Sequence, residues 1–425
     1  MLGVSGARRR LPQAMQDRDF ALFILVVLAM NLASQMIAVA IGWQVYDIRH
    51  RAFDLGLIGL LEFAPVFLLA LPAGTLTDRV ARRLVLGIAA VLLVAVAASL
   101  IVVSAAGAHE LWPFLALASA SGTATALFFP ATRALPGMLV DRDLLPSALA
   151  IRSVGAQTAM VAGPALGGVL FTLSPEVVYG TALGLFALAV LALAAMRVRA
   201  NPSLVAASQL ERMLGGIRFI GRTPILLGVI LLDLLAVLFG GAVALLPVFA
   251  QTILHTGPAG LGLLRSAPAV GAVAGGILLI RRPLPTAAGP TMIFVVSLFG
   301  ASMIAFGLSH WMVLSLAALA ISGAADIVSV NIRTTTATMI TPDEVRGRVG
   351  SVEAVFVGAS NQLGAFESGT AAALLGAVPA VVAGGAVTIL IALGWTRLFP
   401  DLAKLGRLSE LGAADDPAAQ GVSVA

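Results

Sequence analysis

Long apolar runs alternate with short polar gaps along almost the whole chain. Runs of transmembrane length lie near 20–44, 55–76, 84–105, 112–138, 146–172 and 177–197. A second set lies near 224–250, 258–280, 288–308, 311–338, 348–374 and 377–398. About 20 apolar residues suffice for a helix to cross a bilayer, so the pattern predicts twelve spanning helices in two groups of six. The alternating ten-residue strands of a membrane barrel are absent from the pattern. The expected organisation is a cytoplasmic segment (1–18), a six-helix bundle (19–198), a linker (199–223), a second bundle (224–398) and a disordered tail (399–425). In the linker, Leu210, Met213, Leu214, Ile217 and Ile220 recur at helical spacing, with Glu211, Arg212, Arg218 and Arg222 opposite. That predicts an amphipathic helix lying at the membrane surface.

The gaps carry the orientation. Of 26 Lys and Arg, only Arg49 and Arg51 fall in the gaps that follow odd-numbered spans. Arg133, Arg152, Arg265 and Arg333 fall inside spans, and the rest cluster at the termini and in the other gaps. Basic residues stay on the cytoplasmic side, so both termini are expected there. Trp43, Trp112 and Trp311 fall at the outer ends, where an aromatic belt is expected.

Composition narrows the chemistry. Apolar residues make up 59% and charged residues 11% of the 425, against about a quarter charged in soluble proteins. There is no cysteine, which excludes disulfides and thiolate chemistry. The net charge of +5 is scattered through short gaps, so no nucleic-acid surface is expected. The chain lacks a phosphate-binding loop and any nucleophile cluster, so neither an ATP-driven pump nor an enzyme is indicated. The four histidines (His50, His109, His255, His310) sit at outer ends without metal-ligand spacing, and no metal or cofactor is expected.

The halves repeat weakly at an offset of about 200. Thr132-Arg133 aligns with Ile332-Arg333, Asp143 with Asp343, Ala64-Pro65 with Ala267-Pro268 and Trp112 with Trp311. Transporters are often built from such repeats, with the site near the midplane between them.

Intramembrane charges are costly and mark pathways. Asp233 falls about 14 Å into span seven at 1.5 Å per residue, near the midplane, where a desolvated carboxyl suits a proton carrier. Asp326 in span ten is a second candidate. A structural acid paired with an arginine is the alternative for both. Asn31 and Gln35, one turn apart in span one, are expected to line the same pathway or to pack helices. Glu62, Arg265 and Glu367 lie at one depth, roughly 10 Å inside the outer face, in spans two, eight and eleven. They are candidates for an outer gate. Arg133, Arg152, Arg333 and Glu353 lie near the inner boundary, where snorkelling accounts for them; the matched Arg133 and Arg333 are candidates for paired inner-gate contacts.

Two motifs remain. Gly74-Thr75-Leu76-Thr77-Asp78-Arg79-Val80-Ala81-Arg82-Arg83 follows span two, with a degenerate twin at Gly276–Arg282 that has Ile280 in place of the acid. Gly163-Pro164-Ala165-Leu166-Gly167-Gly168 lies in span five. The first resembles the loop between spans two and three of major facilitator transporters, and the second resembles an element of their antiporters. The stretches 128–136, 341–349 and 358–369 are similar to the efflux branch that includes the enterobactin exporter. Many members of that branch carry acids where this chain has Gln362 and Ala365. The resemblance covers roughly 15–400. It implies an all-α fold of two pseudo-symmetric six-helix halves, alternating access, and proton-coupled export of a small molecule such as a siderophore or drug. It also implies that Gly74, Asp78, Arg79, Arg82 and Arg83 form an inner latch across the half-to-half boundary. Partners are then protons, a small-molecule substrate and the bilayer, with the protein acting as a monomer. Uptake on the same fold is the alternative, and a lipid flippase or non-transporting scaffold is the alternative of another class.

Overall fold

The computed structural model describes residues 13–197, 209–281 and 287–406; the side chains of 70–79, 134, 209–213 and 403 lie outside the description. Among the described residues the secondary structure is helical throughout. The first half holds α1 (Arg18–Arg49), α2 (Ala52–Arg79), α3 (Arg82–Ala105), α4 (Trp112–Ala134), α5 (Leu145–Phe171) and α6 (Pro175–Ala195). The second holds α7 (Pro224–Gly240), α8 (Gly257–Arg281), α9 (Ala288–Gly307), α10 (Met312–Ile340), α11 (Asp343–Leu375) and α12 (Ala377–Leu398).

Among the described residues, eleven spans are long and apolar enough to cross a membrane by length and composition. The twelfth helix, α11, is more polar, with Ser, Asn, Gln and Glu on several faces. It is 33 residues, or about 50 Å, long. Its first turns touch the linker helix (Gln209–Arg222) through Arg348 and Gly216, and its far end reaches Gly56 through Gly369. It therefore runs the full depth of the bundle, with Ser360 and Ser368 buried and Glu353, Gln362 and Glu367 half-buried, while Asn361 is exposed and donates to the Val357 carbonyl of its own helix.

Neighbour relations repeat between halves. In the first, α2 packs on α4, and α3 on α4 and α6; in the second, α8 packs on α10, and α9 on α10 and α12. Across the boundary α2 meets α11 and α5 meets α8. A twofold relation between halves generates both contacts at once.

Several expectations are corrected. Span seven is not continuous: α7 ends at Gly240, and after a break at 241–242 the chain resumes as short turns ending in a π-helix, Phe249–Ile253. The tail packs as far as Gly406. Leu402 and Leu405 are buried beside Val229, Met292 and Trp395, and the carbonyls of Leu405 and Gly406 accept from Gly289 and Ala288. Those amides open α9, which has no side-chain cap, so the tail satisfies donors that the helix itself leaves free. Trp43 is only 9% exposed and packs near Phe171, whereas Trp112 and Trp311 are exposed as a belt requires. In the linker helix Ile220 is buried on Leu226, Val349 and Val352, while Leu214 and Ile217 are exposed. The side chains of Leu210, Glu211, Arg212 and Met213 lie outside the described residues, as does Arg282.

Candidate functional site

A buried charge cluster lies in the second half. On α10, Asp326, Ser329 and Arg333 recur at i, i+3 and i+7, which places them on one helix face. That face meets Asp233 of α7. Arg333 Nη1 donates to Asp233 Oδ2, and Ser329 Oγ donates to Asp233 Oδ1 at 2.6 Å. On the other side, Glu353 Oε1 of α11 lies 2.8 Å from Arg333 Nε, an ion pair by distance rather than an aligned hydrogen bond. Asp233 and Arg333 are each 5% exposed. Arg333 thus does not snorkel; it ties three helices together. The sequence names Asp233, Asp326 and Arg333 but puts Arg333 at a gate with Arg133, and it passes over Ser329. The seven-residue polar stripe on α10 is the signal that could have found it.

Asp326 sits beside this network without joining it. It has no hydrogen bond and no ion pair, yet it feels the charges of Asp233 and Arg333. With Asp233, Ser329, Val237 and Phe299 it lines a narrow cleft between α7, α9 and α10. Three carboxyl groups therefore surround one guanidinium in a region screened from water.

The first half is built differently at the matching place. Arg133 is exposed, its guanidinium 6.0 Å from the Phe129 ring centroid, and it makes no ion pair among the described residues. Arg133 and Arg333 are not brought together. Asn31 turns its amide onto its own helix, donating to the Val27 carbonyl at 2.7 Å. Gln35 lies against Gly163.

The Gly163–Gly168 element is where three helices converge. A Cβ added at Gly163 would lie 2.6 Å from Gln35 Cβ, and one at Gly167 would lie 2.9 Å from Met36 Cα, both on α1. At Gly168 it would meet the Pro258 carbonyl at 2.5 Å and Gly262 Cα at 2.9 Å, on α8 of the other half. A matching set stands 201 residues on: Gly364 packs on the α7 backbone, and Gly369 lies against Gly56 on α2. Absence of side chains on both seams is what lets the halves touch backbone to backbone.

Above the seams lie the outer-gate candidates. Glu62 and Arg265 interact electrostatically without a direct ion pair, and Arg265 Nη1 also donates to the Ala38 carbonyl at 3.4 Å. They occupy repeat-related positions, each three residues before Pro65 or Pro268. Glu367 accepts instead from Ser368, whose hydroxyl also donates to the Gly241 carbonyl at the α7 break. Every described hydrogen bond between halves (Gln157 to Ala269, Gln251 to Trp43, Arg265 to Ala38, Ser266 to Val161) lies at the midplane or toward the face opposite the termini.

At the termini's face, α2 runs to Arg79, but the side chains of Gly74, Asp78 and Arg79 lie outside the described residues. Arg83 donates to the carbonyls of Ala194 and Met196, capping the end of α6 within its own half. Arg82 reaches Met138 Sδ at 2.9 Å, also within the first half.

Two quasi-equivalent six-helix halves meeting at small-residue seams make up the major facilitator fold, a fold of multi-pass membrane transporters rather than enzymes. Residues 13–407 match the family model described as transmembrane secretion effector, and the chain belongs to that family. An uncharacterised major facilitator-type transporter of Bacillus subtilis (strain 168), YfiS, is 26% identical over 188 residues. That match covers 43% of this chain and 44% of the relative's length. Among solved structures, a bacterial homologue of the human lysosomal transporter Spinster, inward-facing and unoccupied, aligns with a TM-score of 0.70 at 14% identity. The alignment covers 97% of this chain and all of that one. A POT family transporter in complex with 5-aminolevulinic acid gives 0.69 at 14% identity, over 92% and 100% of the two chains. A bacterial homologue of the iron transporter ferroportin gives 0.65 at 15%, over 89% and 98%. At these identities the likeness is one of fold.

Proposed function

We propose that this transporter exports a small molecule, of siderophore or drug-like size, in exchange for protons. It would work by alternating access in a bacterial inner membrane, with both termini cytoplasmic. The observation that carries the coupling is the excess of acid around Arg333. One guanidinium balances one carboxylate, yet Asp233, Glu353 and Asp326 all lie within its neighbourhood. Protons are the simplest balancing charge for such a group, and their arrival or departure changes what holds α7, α10 and α11 together. Asp326 is the exchanging acid in this reading, because it alone of the three lacks a partner. Asp233 is the acid that senses the exchange through Arg333. The family description, a secretion effector, supports the outward direction.

Everted membrane vesicles test it. With an imposed inward-acid gradient, wild-type vesicles are expected to accumulate Hoechst 33342 or a ferric siderophore from a panel, and each accumulating compound should discharge the gradient. Asp326→Asn and Asp233→Asn should abolish gradient-driven accumulation while retaining part of the exchange of labelled against unlabelled compound. Accumulation only under the reverse gradient would favour uptake. Full gradient-driven transport in both variants would remove the cluster from the coupling route.

A further inference from the structure

We propose that Arg133 and Arg152 form a binding site for an anionic group on the transported molecule, reached from the face that carries the termini. This deepens the transport reading and rests on it. Arg152 on α5 stands at the position of Glu353 on α11, by the same 201-residue offset that relates Gly163 to Gly364 and Gly168 to Gly369. Arg133 stands at the position of Arg333. The arginine–glutamate pair of the second half is therefore an arginine–arginine pair in the first. Nothing takes the place of Asp233, because α1 has no acid between Asp19 and Asp47.

Arg152 lies within electrostatic range of Arg133, and among the described residues neither has a carboxylate partner. Arg152 Nε is buried and without a hydrogen-bond acceptor. Buried donors are nearly always satisfied, so an unsatisfied one beside a second cation points to an acceptor that arrives with the ligand. Asp141 and Asp143 follow α4 but are exposed and pair with neither arginine. The described hydrogen bonds between halves lie at the midplane or beyond it, so among the described residues none crosses the boundary on this side. Two forked cations suit a carboxylate, sulfonate or phosphate. The exposed Phe129 ring beside Arg133 adds an apolar surface, so the fitting class is an organic anion. An anionic lipid headgroup offers the same charge at this depth, and the test separates the two.

The protein is placed in phosphatidylcholine nanodiscs, with no gradient. Benzoate, citrate and neutral benzamide are titrated by thermal shift and calorimetry. Wild type should show saturable stabilisation by an anion and none by benzamide. The Arg133→Gln/Arg152→Gln double variant should bind roughly tenfold more weakly or not at all, the loss of at least one charge-assisted contact. Arg152→Glu recreates the arginine–glutamate pair of the other half, so it should fold at least as stably and lose anion binding. Arg142→Gln, an exposed loop change, should leave binding intact. The proposal is overturned if no anion stabilises the wild type, if both arginine variants bind as wild type, or if Arg142→Gln weakens binding equally. It is also overturned if only added phosphatidylglycerol stabilises the protein, which would make this a lipid site. Because no proton gradient enters, loss of binding leaves the coupling reading standing, and lost coupling with binding intact leaves this one standing.

Discussion

Arg333 shows at the scale of one residue how context decides what a charge does. Arg133 and Arg333 match across the repeat and end similar helices, yet one is exposed and the other is enclosed by Asp233 and Glu353. Removing the cation leaves buried acids uncompensated, which costs about 3–5 kcal/mol where one partner of a buried pair is deleted. Arg333→Met should therefore lower thermal stability by about that amount in detergent, and Arg333→Met/Asp233→Leu should recover much of it. If the single variant unfolds at the wild-type temperature, the pair does not hold the fold. Tyr179 offers a comparison in which the substituted group is itself neutral. Its hydroxyl donates to Gln44 Oε1 at 2.7 Å, and Gln44 Nε2 donates to Ser104, which donates to Glu176. Tyr179→Phe leaves a buried acceptor unmet and should cost about 1–3 kcal/mol by the same measurement. Asp233 and Asp326 were legible in the sequence because charges inside apolar runs are rare. The partner of Asp233 was not, since an arginine near a span end reads equally well as a snorkelling residue.

Helices were legible where hydrophobicity alone decides them, and blurred where packing does. The break after Gly240 lies in a run as apolar as its neighbours, so hydrophobicity does not mark it and only Gly240-Gly241 and Pro247 do; Ser368 on another helix takes up the Gly241 carbonyl. The tail beyond Phe399 reads as polar, but Leu402 and Leu405 are enough to seat it, and its carbonyls cap α9. The Gly163–Gly168 element was readable as a motif; its twin at Gly364–Gly369 was hidden because Ser368 and Ala365 replace the glycine and proline. These seams yield a prediction at their own scale. Gly168→Val puts a branched side chain against the Pro258 carbonyl and Gly262. Overpacking of this kind costs about 1–3 kcal/mol, here charged only to the state in which the seam is shut. Labelling of an introduced cysteine, Ser266→Cys, buried against Val161 across the seam in the parent, should rise when Gly168→Val is added while secondary structure is unchanged; unchanged labelling would mean the seam does not set the closed state.

The whole molecule is two copies of one bundle with different electrical equipment. The second half pairs Arg333 with acids and keeps one acid spare; in the first half Arg133 and Arg152 have no carboxylate partner among the described residues. Glu62 and Arg265 extend the asymmetry to the boundary, where repeat-related positions carry opposite charges. Reversing them together (Glu62→Arg with Arg265→Glu) should restore transport lost in either single change, measured in vesicles; failure of the pair in well-folded protein would take the outer gate away. The central claim is that proton exchange at Asp326 moves the halves. The chain has no cysteine, so a spin-label pair at Leu173→Cys and Leu375→Cys, both exposed at helix ends on the face opposite the termini, reports their separation cleanly. Distances measured by pulsed electron resonance in nanodiscs should shift from one population to a longer one as pH changes between neutral and acid. The same pair in Asp326→Asn should give one distribution at both pH values. An equal pH-driven shift in that variant, or none in the wild type, would contradict the account.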